Sequence, residues 1–478
     1  MSVQRLAVSQ SSRGWTLALT SVAFFMVTLG LLVVITALPA MRKDLDASLS
    51  TLEWIVNAYG LAFAVGIITA AALGDRLGRR RIFAVGLGLF TLASAACALA
   101  PNVEILIAAR AIQGVGAAMV MPLSLTILSA AFPPERRGMV IGIWGGIAGL
   151  GVAIGPLIGG AVAQGLDWHW IFWVNVPIGL VATFLSFSRL TESWGPATRL
   201  DLPAVALMSA GSFGIVWGLV RGNEAGWSSI EVLAALSTGI VLIAGFVVWE
   251  LQAPEPMLPL RLFRSPTFVA ANATAFLMIA ALLSAAFLAS QYFQFVLRNS
   301  PLETGLRFLP WTATPILVAP AAGALSDRIG RRPVMVVGML LQGVGLGWFA
   351  WLGTTGVDYA QLVTPLIVGG IGISMAIPTT PAAALGAVAP PDMGKASGVN
   401  STLQRFGGVF GIAIATAVFA ANGHLGTAAS FDAGFRPALA VSAALSILGA
   451  MCALAVTARQ PVLNATAHRQ AVQEPTLS

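Results

Sequence analysis

The chain has 478 residues, of which 57% are hydrophobic and only 9% are charged, and its mean hydropathy is +0.86. So few charges and so much apolar side chain exclude an ordinary soluble protein and place the chain among integral membrane proteins. The two cysteines and three histidines form no cluster at ligand spacing, so the sequence predicts no disulfide framework, no metal site and no cofactor.

Long uncharged runs of at least eighteen residues follow one another along the chain, with short loops between them. Each run is long enough for a helix that crosses a hydrocarbon core of roughly 30 Å at about 1.5 Å per residue. The first run is too long for a signal peptide, and the chain continues directly into further runs. The sequence therefore predicts an all-α integral membrane protein with fourteen transmembrane helices. The runs are 14–41, 54–74, 82–103, 111–134, 138–166, 168–188, 202–220, 232–249, 265–297, 308–326, 333–357, 359–391, 406–431 and 437–458.

The basic residues are distributed unevenly between the two sides of the membrane. With the N-terminus inside, eighteen of the 26 Lys and Arg residues fall in cytoplasmic segments and six fall on the opposite side. This positive-inside bias predicts a cytoplasmic N-terminus, and an even number of spans then places the C-terminus in the cytoplasm as well. We expect the net charge of +7 to face anionic lipid and not nucleic acid.

Nearly the same octapeptide occurs twice, as GDRLGRRR at residues 74–81 and SDRIGRRP at residues 326–333. The first copy joins the second and third runs, and the second copy joins the tenth and eleventh. Eight spans therefore separate the copies, and both face the cytoplasm. A duplicated six-helix bundle alone would separate them by six spans, so two further helices lie between the halves.

The spacing of the octapeptides also predicts the domain organisation. Parallel halves of this kind hold a binding site between them, near the midplane of the membrane. The predicted segments are a cytoplasmic arm (1–13), an N-terminal six-helix bundle (14–188), two inserted helices with their linkers (189–266), a C-terminal six-helix bundle (267–458) and a cytoplasmic tail (459–478).

The fourth and fifth helices carry two further motifs. In AARAIQGVGAAMVMP (108–122), Arg110 stands alone near the bilayer interior, where a cation needs a partner or a water-filled cavity. In GVAIGPLIGG (151–160), glycines spaced by four leave one helix face bare, and Pro156 adds a kink. Two other interpretations stay open, namely a snorkelling or structural arginine in the first motif and generic helix packing in the second.

Together these motifs resemble those of the major facilitator superfamily, and the fourteen-span layout resembles its drug/proton antiporters. The resemblance implies that the octapeptides form a cytoplasmic charge network that switches between transport states; alternatively, their arginines only mark the cytoplasmic side. It also implies a coupling role for Arg110 and, through the motif of the fifth helix, export. The implied residues are Asp75, Arg76, Gly78, Arg79, Arg80, Asp327, Arg328 and Arg331 for the switch, and Gly151, Gly155, Pro156, Gly159 and Gly160 for the antiporter motif. Candidates for the substrate cavity are Asn57, Tyr59, Gln113, Phe287 and Gln291.

The first helix departs from the family pattern. The family places an acidic residue upstream of an Ala-Leu-Pro such as residues 37–39, where this chain has Gly30. No Asp or Glu lies deep within any run, although Glu53 stands at the outer start of the second helix. Gly30, Glu53 and Arg110 are therefore the coupling candidates, with residue 30 expected one or two turns from the level of Arg110. Proton coupling is implied by the resemblance and not by these residues.

The leading hypothesis is an export carrier for amphipathic small molecules, driven by proton antiport, in which two halves rock around a central cavity. The alternatives are an importer or uniporter for one metabolite, or a specific metabolite or antibiotic exporter or uniporter without proton coupling through the first helix. A membrane enzyme is disfavoured because no nucleophile–base pair, phosphate loop or signalling domain appears. The expected partners are a small-molecule substrate, protons and membrane lipid. The chain is expected to be a monomer in the cell membrane. A bacterial source is expected because Arg outnumbers Lys by 24 to two, as in proteins from GC-rich bacterial genomes.

Overall fold

A computed structural model of the chain describes residues 10–195, 201–254, 256, 258, 260–354, 356–389 and 392–457. The predicted cytoplasmic tail and most of the predicted N-terminal arm lie outside these residues. All regular structure within them is helical. The α-helices are α1 (Gln10–Asp44), α2 (Leu49–Leu77), α3 (Arg79–Ala98), α4 (Val103–Ala131), α5 (Pro134–Gly165), α6 (Trp170–Trp173), α7 (Asn175–Arg189), α8 (Leu202–Ala225), α9 (Ile230–Gln252), α10 (Pro266–Gln291), α11 (Pro301–Thr312), α12 (Thr314–Ile329), α13 (Arg331–Leu352), α14 (Tyr359–Gly386), α15 (Met393–Asn422) and α16 (Ala428–Leu454). A 3₁₀ turn (Leu260–Arg264) precedes α10, and a π-helical turn (Tyr292–Val296) continues it.

Thirteen helical segments of the described residues are long and apolar enough to cross a membrane. Helix α5 corresponds to the fifth uncharged run and adds the fourteenth crossing. The predicted all-α membrane fold is therefore confirmed. Two of the runs are broken, at Val174 between α6 and α7 and at Ala313 between α11 and α12. Proline lacks the amide that continues a helix, and Pro177 and Pro315 follow these two breaks closely.

The octapeptides form helix ends joined by a single residue. Helix α2 ends at Leu77, α3 begins at Arg79, and Gly78 between them has a φ of 108°. Gly330 separates α12 from α13 in the same way, with a φ of 92°. Residues with a side chain rarely adopt this backbone conformation, so the glycine of each copy permits the tight connection.

Helices α1–α7 form an N-terminal bundle, and α10–α16 form a C-terminal bundle. Both octapeptides lie on one side of the bundles, which we call the octapeptide side, and the opposite side is the far side. The inserted helices α8 and α9 form a pair whose backbones approach closely at Gly214 and Gly239. Helix α8 packs against α2 and α15, where Val216 meets Leu61 and Phe406. The inserted pair therefore covers one seam between the two bundles from the outside.

The two bundles meet closely at the far side. A Cβ atom on Gly160 of α5 would overlap the carbonyl oxygen of Pro301, where α11 begins. Between α1 and the π-helical turn that continues α10, Gln294 Nε2 donates to the carbonyl oxygen of Thr36 at 2.8 Å. Helix α12 continues α11 towards the octapeptide side, and the side chain of its Leu317 is 79% exposed. The contact between α5 and the C-terminal bundle is therefore concentrated on α11.

Candidate functional site

Arg110 lies in the interior of the N-terminal bundle and has no exposed surface. Helix α4 is capped by Asn102, whose Oδ1 accepts a hydrogen bond from the Ile105 amide at 3.0 Å. One turn after Arg110, Gly114 lets the backbone of α4 touch the backbone of α2 at Tyr59. This close approach of two helices brings the guanidinium between α1 and α2, where water is excluded.

Backbone and amide oxygens surround the Arg110 guanidinium. Its Nε donates to the carbonyl oxygen of Ile55 at 3.1 Å, and its Nη1 donates to the carbonyl oxygen of Gly30 at 3.4 Å. Nη1 also donates to Gln113 Oε1 at 2.5 Å, and the guanidinium carbon lies 4.2 Å from the centre of the Tyr59 ring. No ion pair to Arg110 is present in the part of the chain that the structure describes. Dipoles and a π face thus compensate this buried cation, which keeps its charge.

Two of the predicted cavity residues, Tyr59 and Gln113, belong to this network. Gln113 Nε2 donates to Ser94 Oγ at 2.7 Å, and the Tyr59 hydroxyl donates to the carbonyl oxygen of Val27 at 3.1 Å. Both residues therefore hold Arg110 in place. Sequence reasoning missed Ser94, because a serine in an apolar run carries no signal of its partner.

Gly30 lies directly beside Arg110. The Gly30 carbonyl oxygen accepts a hydrogen bond from the guanidinium, which the long Arg110 side chain brings to it from α4. A Cβ atom on Gly30 would lie 3.5 Å from the Phe90 ring, which is an ordinary van der Waals distance. The position where the family pattern has an acid is thus in contact with the buried cation and has room for a side chain.

The remaining candidates occupy α2 and α10. Glu53 is buried at the far-side end of α2, four residues before Asn57 and on the same face of the helix. Asn57 is fully buried and lines a small cavity between the bundles. Phe287 and Gln291 are buried in α10. Their neighbours Leu282, Leu283 and Ala286 line the cavities between the bundles, whereas Phe287 and Gln291 line neither of the two described below.

A second cavity between the bundles is almost wholly apolar, and we call it the apolar cavity. It lies beneath the far-side junction of α5 and α11. Pro156 of the predicted antiporter motif forms part of its wall. Its lining residues are Leu32, Ile35, Thr36, Pro156, Leu282, Ala286, Phe308, Trp311, Thr312, Pro315, Ile373 and Ile377.

The glycines of the predicted antiporter motif serve two contacts. Gly151, Gly155 and Gly159 face α1, where added Cβ atoms would meet Phe25, Leu32 and Thr36, in that order. Gly160 instead faces the backbone of α11. Gly305 of α11 approaches Pro156 in turn, since a Cβ there would lie 2.5 Å from the Pro156 carbonyl oxygen. The motif therefore packs α5 onto its own bundle along one face and onto the other bundle at its far-side end.

The first octapeptide is held by ion pairs and by the linker that follows α7. Arg79 Nε donates to Asp75 Oδ1 at 2.7 Å, four residues earlier. The linker residue Glu192 accepts a hydrogen bond from the Arg80 amide at 2.8 Å, and its carboxylate lies 3.5 Å from Arg80 Nε and 3.8 Å from Arg81 Nε. Arg76 is exposed. Sequence reasoning missed Glu192, which lies 112 residues beyond Arg80.

The linker also bonds to the backbone of the first octapeptide. The Gly195 amide donates to the Asp75 carbonyl oxygen at 3.1 Å, and the Arg79 amide donates to the Ser193 carbonyl oxygen at 2.9 Å. The second octapeptide differs, because Asp327 and Arg328 are exposed and Arg331 is only partly buried. The first octapeptide is therefore bonded to the linker, whereas the acid of the second octapeptide is exposed.

Comparison with known proteins gives a consistent family match. The Major Facilitator Superfamily profile matches residues 20–309 and 268–477. The tetracenomycin C resistance and export protein of Streptomyces glaucescens is 35% identical over 408 residues, which cover 84% of this chain and 75% of that protein. The multidrug resistance protein Stp of Mycobacterium tuberculosis is 35% identical over 408 residues, which cover 85% and 76%. The cephamycin export protein CmcT of Amycolatopsis lactamdurans is 34% identical over 405 residues, which cover 83% of each chain.

Solved structures give the same fold. A peptide transporter crystallised with sulfate superposes with a TM-score of 0.68 at 17% sequence identity. The superposition covers 93% of this chain and 96% of that chain. At this identity the likeness shows a shared fold alone.

Proposed function

This chain belongs to the major facilitator superfamily, and we propose that it exports amphipathic small molecules from the bacterial cell by alternating access in exchange for protons. Its family and its resistance and export relatives make it a multi-pass membrane transporter of the drug-exporter type and not an enzyme. The substrate, the use of protons and the orientation in the membrane belong to the proposal, with the octapeptide side in the cytoplasm.

The observation that carries the proposal is the position of the α5 motif. Gly160 and Gly305 bring α5 and α11 into backbone contact at the far side, directly above the apolar cavity. For release at the far side, this contact has to separate while the octapeptide side closes. A glycine junction suits such a movement, because its backbones meet in van der Waals contact with one hydrogen bond, from the Leu302 amide to Gln164 Oε1 at 3.1 Å, and no ion pair between described residues has to break there.

Proton exchange needs a group that changes its charge. Arg110 stays protonated at all physiological pH values, so it acts as a fixed charge. Glu53 is a buried carboxylic acid of the same bundle and shares a helix face with Asn57, which lines the small cavity. We therefore assign proton carriage to Glu53, with Arg110 setting the local potential.

One observation favours a second candidate, an exporter without proton coupling through the first helix. Residue 30 is a glycine that offers Arg110 a carbonyl oxygen and no titratable group. In that case substrate would move down its own gradient, and a pH gradient would add nothing to its accumulation.

Everted membrane vesicles separate these candidates. Vesicles that contain the protein should accumulate rhodamine 123 when their interior is acidic, and nigericin should abolish the accumulation by collapsing the pH gradient. The uncoupled exporter would equilibrate the dye at the same rate with or without the gradient. The Gly160→Leu variant is the matched control, because the leucine side chain would clash with the α11 backbone at the far-side junction. Vesicles that accumulate neither a cationic nor an anionic dye, or that move dye only out of the everted interior, would contradict export.

A further inference from the structure

The small cavity between α2 and α15 holds a cation, Arg405, that has no anionic partner among the described residues. It is lined from both bundles by residues of α1, α2, α10 and α15, including Asn57, Phe63 and Arg405. Arg405 belongs to the C-terminal bundle, and its guanidinium carbon lies 4.3 Å from the centre of the Phe63 ring of the N-terminal bundle. Arg405 Nη2 approaches Met121 Sδ at 3.7 Å. The cation thus crosses from one bundle to the other.

These contacts compensate the Arg405 charge only weakly. A thioether sulfur is a poor hydrogen-bond acceptor, and an aromatic face attracts a cation without accepting its five N–H donors. No carboxylate pairs with Arg405 among the residues that the structure describes. A guanidinium in this position retains most of its hydrogen-bonding capacity for something that enters the cavity.

Asn57 supplies a second and independent group. Its side chain is fully buried in α2, and neither its Nδ2 nor its Oδ1 has a hydrogen-bond partner in the structure. Buried amides of this kind are nearly always paired, because an unpaired polar group loses its hydration without compensation. Asn57 and Arg405 line the same cavity, so both offer N–H donors to one enclosed volume.

We propose that this cavity binds the oxyanion of an exported molecule, a carboxylate or a phenolate, between Arg405 and Asn57. The assignment rests on the proposed export function and names its substrate class. A guanidinium and an amide together donate several hydrogen bonds to an oxyanion, and the bonds to a charged acceptor are the strong ones. A cationic drug would meet an unpaired positive charge there.

The position of the apolar cavity fits a substrate with an apolar body. Leu31 and Leu283 line the small cavity, whereas their chain neighbours Leu32 and Leu282 line the apolar cavity. The two cavities therefore lie side by side along α1 and α10. An amphipathic acid can place its oxyanion at Arg405 and its hydrocarbon part in the apolar cavity.

The test uses two dyes on one xanthene scaffold, the anion fluorescein and the cation rhodamine 123. Initial rates of uptake into everted vesicles are measured for the wild-type protein and for Arg405→Gln, Arg405→Lys and Asn57→Ala. Arg307→Gln is the matched control, because Arg307 also stacks on an aromatic ring of the C-terminal bundle, 4.7 Å from the Tyr359 ring, but lies outside both cavities. Unfolding followed by tryptophan fluorescence shows whether each variant is folded.

The expected result is a loss of fluorescein transport of at least roughly tenfold in kcat/KM for Arg405→Gln, with Asn57→Ala in the same direction. Rhodamine 123 transport should change less than fluorescein transport, and Arg405→Lys and Arg307→Gln should retain most fluorescein transport. Equal losses for both dyes in folded Arg405→Gln would overturn the proposal.

The same measurements separate this proposal from the export function itself. Wild-type protein that transports rhodamine 123 but not fluorescein would overturn the oxyanion site and leave export standing. Wild-type protein that transports neither dye would overturn both.

Discussion

The two bundles share their turn glycines but hold their charges differently. In the N-terminal bundle, Nε and Nη1 of Arg110 donate to oxygen acceptors, and the octapeptide bonds to Glu192 of the linker. In the C-terminal bundle, Arg405 contacts a ring and a thioether, and Asp327 of the second octapeptide is exposed. The two bundles therefore share a backbone pattern but compensate their charged side chains in different ways. The cation of the N-terminal bundle is held by oxygen acceptors, whereas the cation of the C-terminal bundle keeps hydrogen-bond donors available for a ligand, together with Asn57 across the interface.

The largest expected effect breaks the enclosure of Arg110. Arg110→Leu leaves the Gln113 Oε1 acceptor and the Gly30 and Ile55 carbonyls without their donor, so we expect a loss of about 3 kcal/mol in stability. Arg405→Leu removes contacts to a ring and a sulfur atom, so we expect a loss below about 1 kcal/mol. Denaturation of the detergent-solubilised protein, followed by tryptophan fluorescence, measures both losses. Equal losses would show that the two cations are held alike.

The turn glycines offer the next comparison. Gly78→Ala forces a side chain into a left-handed backbone and brings its Cβ to 2.8 Å from Glu192 Cδ, so we expect a loss of about 2 kcal/mol. For Gly330→Ala we expect the backbone strain alone, about 1 kcal/mol, because its φ of 92° is likewise unfavourable for a residue with a side chain. The same unfolding measurement orders the two variants. A greater loss at Gly330 would contradict the assignment of the tighter turn to the first octapeptide.

The sequence predicts the helical framework because the membrane imposes it. Every polar backbone group within the hydrocarbon core has to be paired, so a long uncharged run becomes a helix whatever its other features. The breaks at Val174 and Ala313 escaped prediction, because uncharged composition alone does not report where a proline interrupts the hydrogen bonds. The repeated octapeptide likewise predicted the six-plus-two-plus-six arrangement, since its spacing counts spans directly.

The candidate site is less predictable because its contacts are distant in the chain. Arg110 signals itself as a lone cation in an apolar run, but nothing nearby indicates that Gly30, 80 residues earlier, supplies an acceptor. The contact between Arg405 and Phe63 joins two bundles whose packing no local pattern describes. Glu192 stands in a linker that looks like a simple connection. A residue type indicates that such a site exists, whereas tertiary packing determines which distant residues contact it.

A smaller effect is expected from the acids of the two octapeptides. Asp75→Asn should leave membrane insertion intact and lower rhodamine 123 transport about fivefold, the effect of roughly 1 kcal/mol on a two-state equilibrium. The reason is that Asp75 pairs with Arg79, and its own carbonyl oxygen accepts a hydrogen bond from the linker, whereas Asp327 is exposed. Asp327→Asn should therefore cost less, and uptake into everted vesicles measures both. Equal losses at the two positions would mean that the linker does not distinguish the copies.

The smallest expected effect adds an anion to the enclosed cation. Gly30→Asp places a carboxylate in contact with Arg110, in a position where a Cβ lies 3.5 Å from the Phe90 ring. A charge at this depth costs only about 3 kcal/mol on insertion scales, and the guanidinium offsets part of it, so the variant should still insert. We expect pH-gradient-driven export of rhodamine 123 to rise roughly threefold, which corresponds to about 0.7 kcal/mol.

The gain at residue 30 depends on proton exchange by the new carboxylate. Arg110 stabilises the charged form of the new carboxylate, so the carboxylate takes up a proton only when the pair separates. The increase in dye export should therefore be greatest when the compartment that supplies the protons is acidic. Gly30→Asn is the matched control, since it fills the same space without a titratable group and should give no increase. If both variants insert normally and neither improves gradient-driven export, the first helix does not carry the proton. Coupling in the variants would then rest on Glu53, as proposed for the wild-type protein, and Glu53→Gln should abolish the response to the pH gradient while leaving uncoupled equilibration of the dye intact.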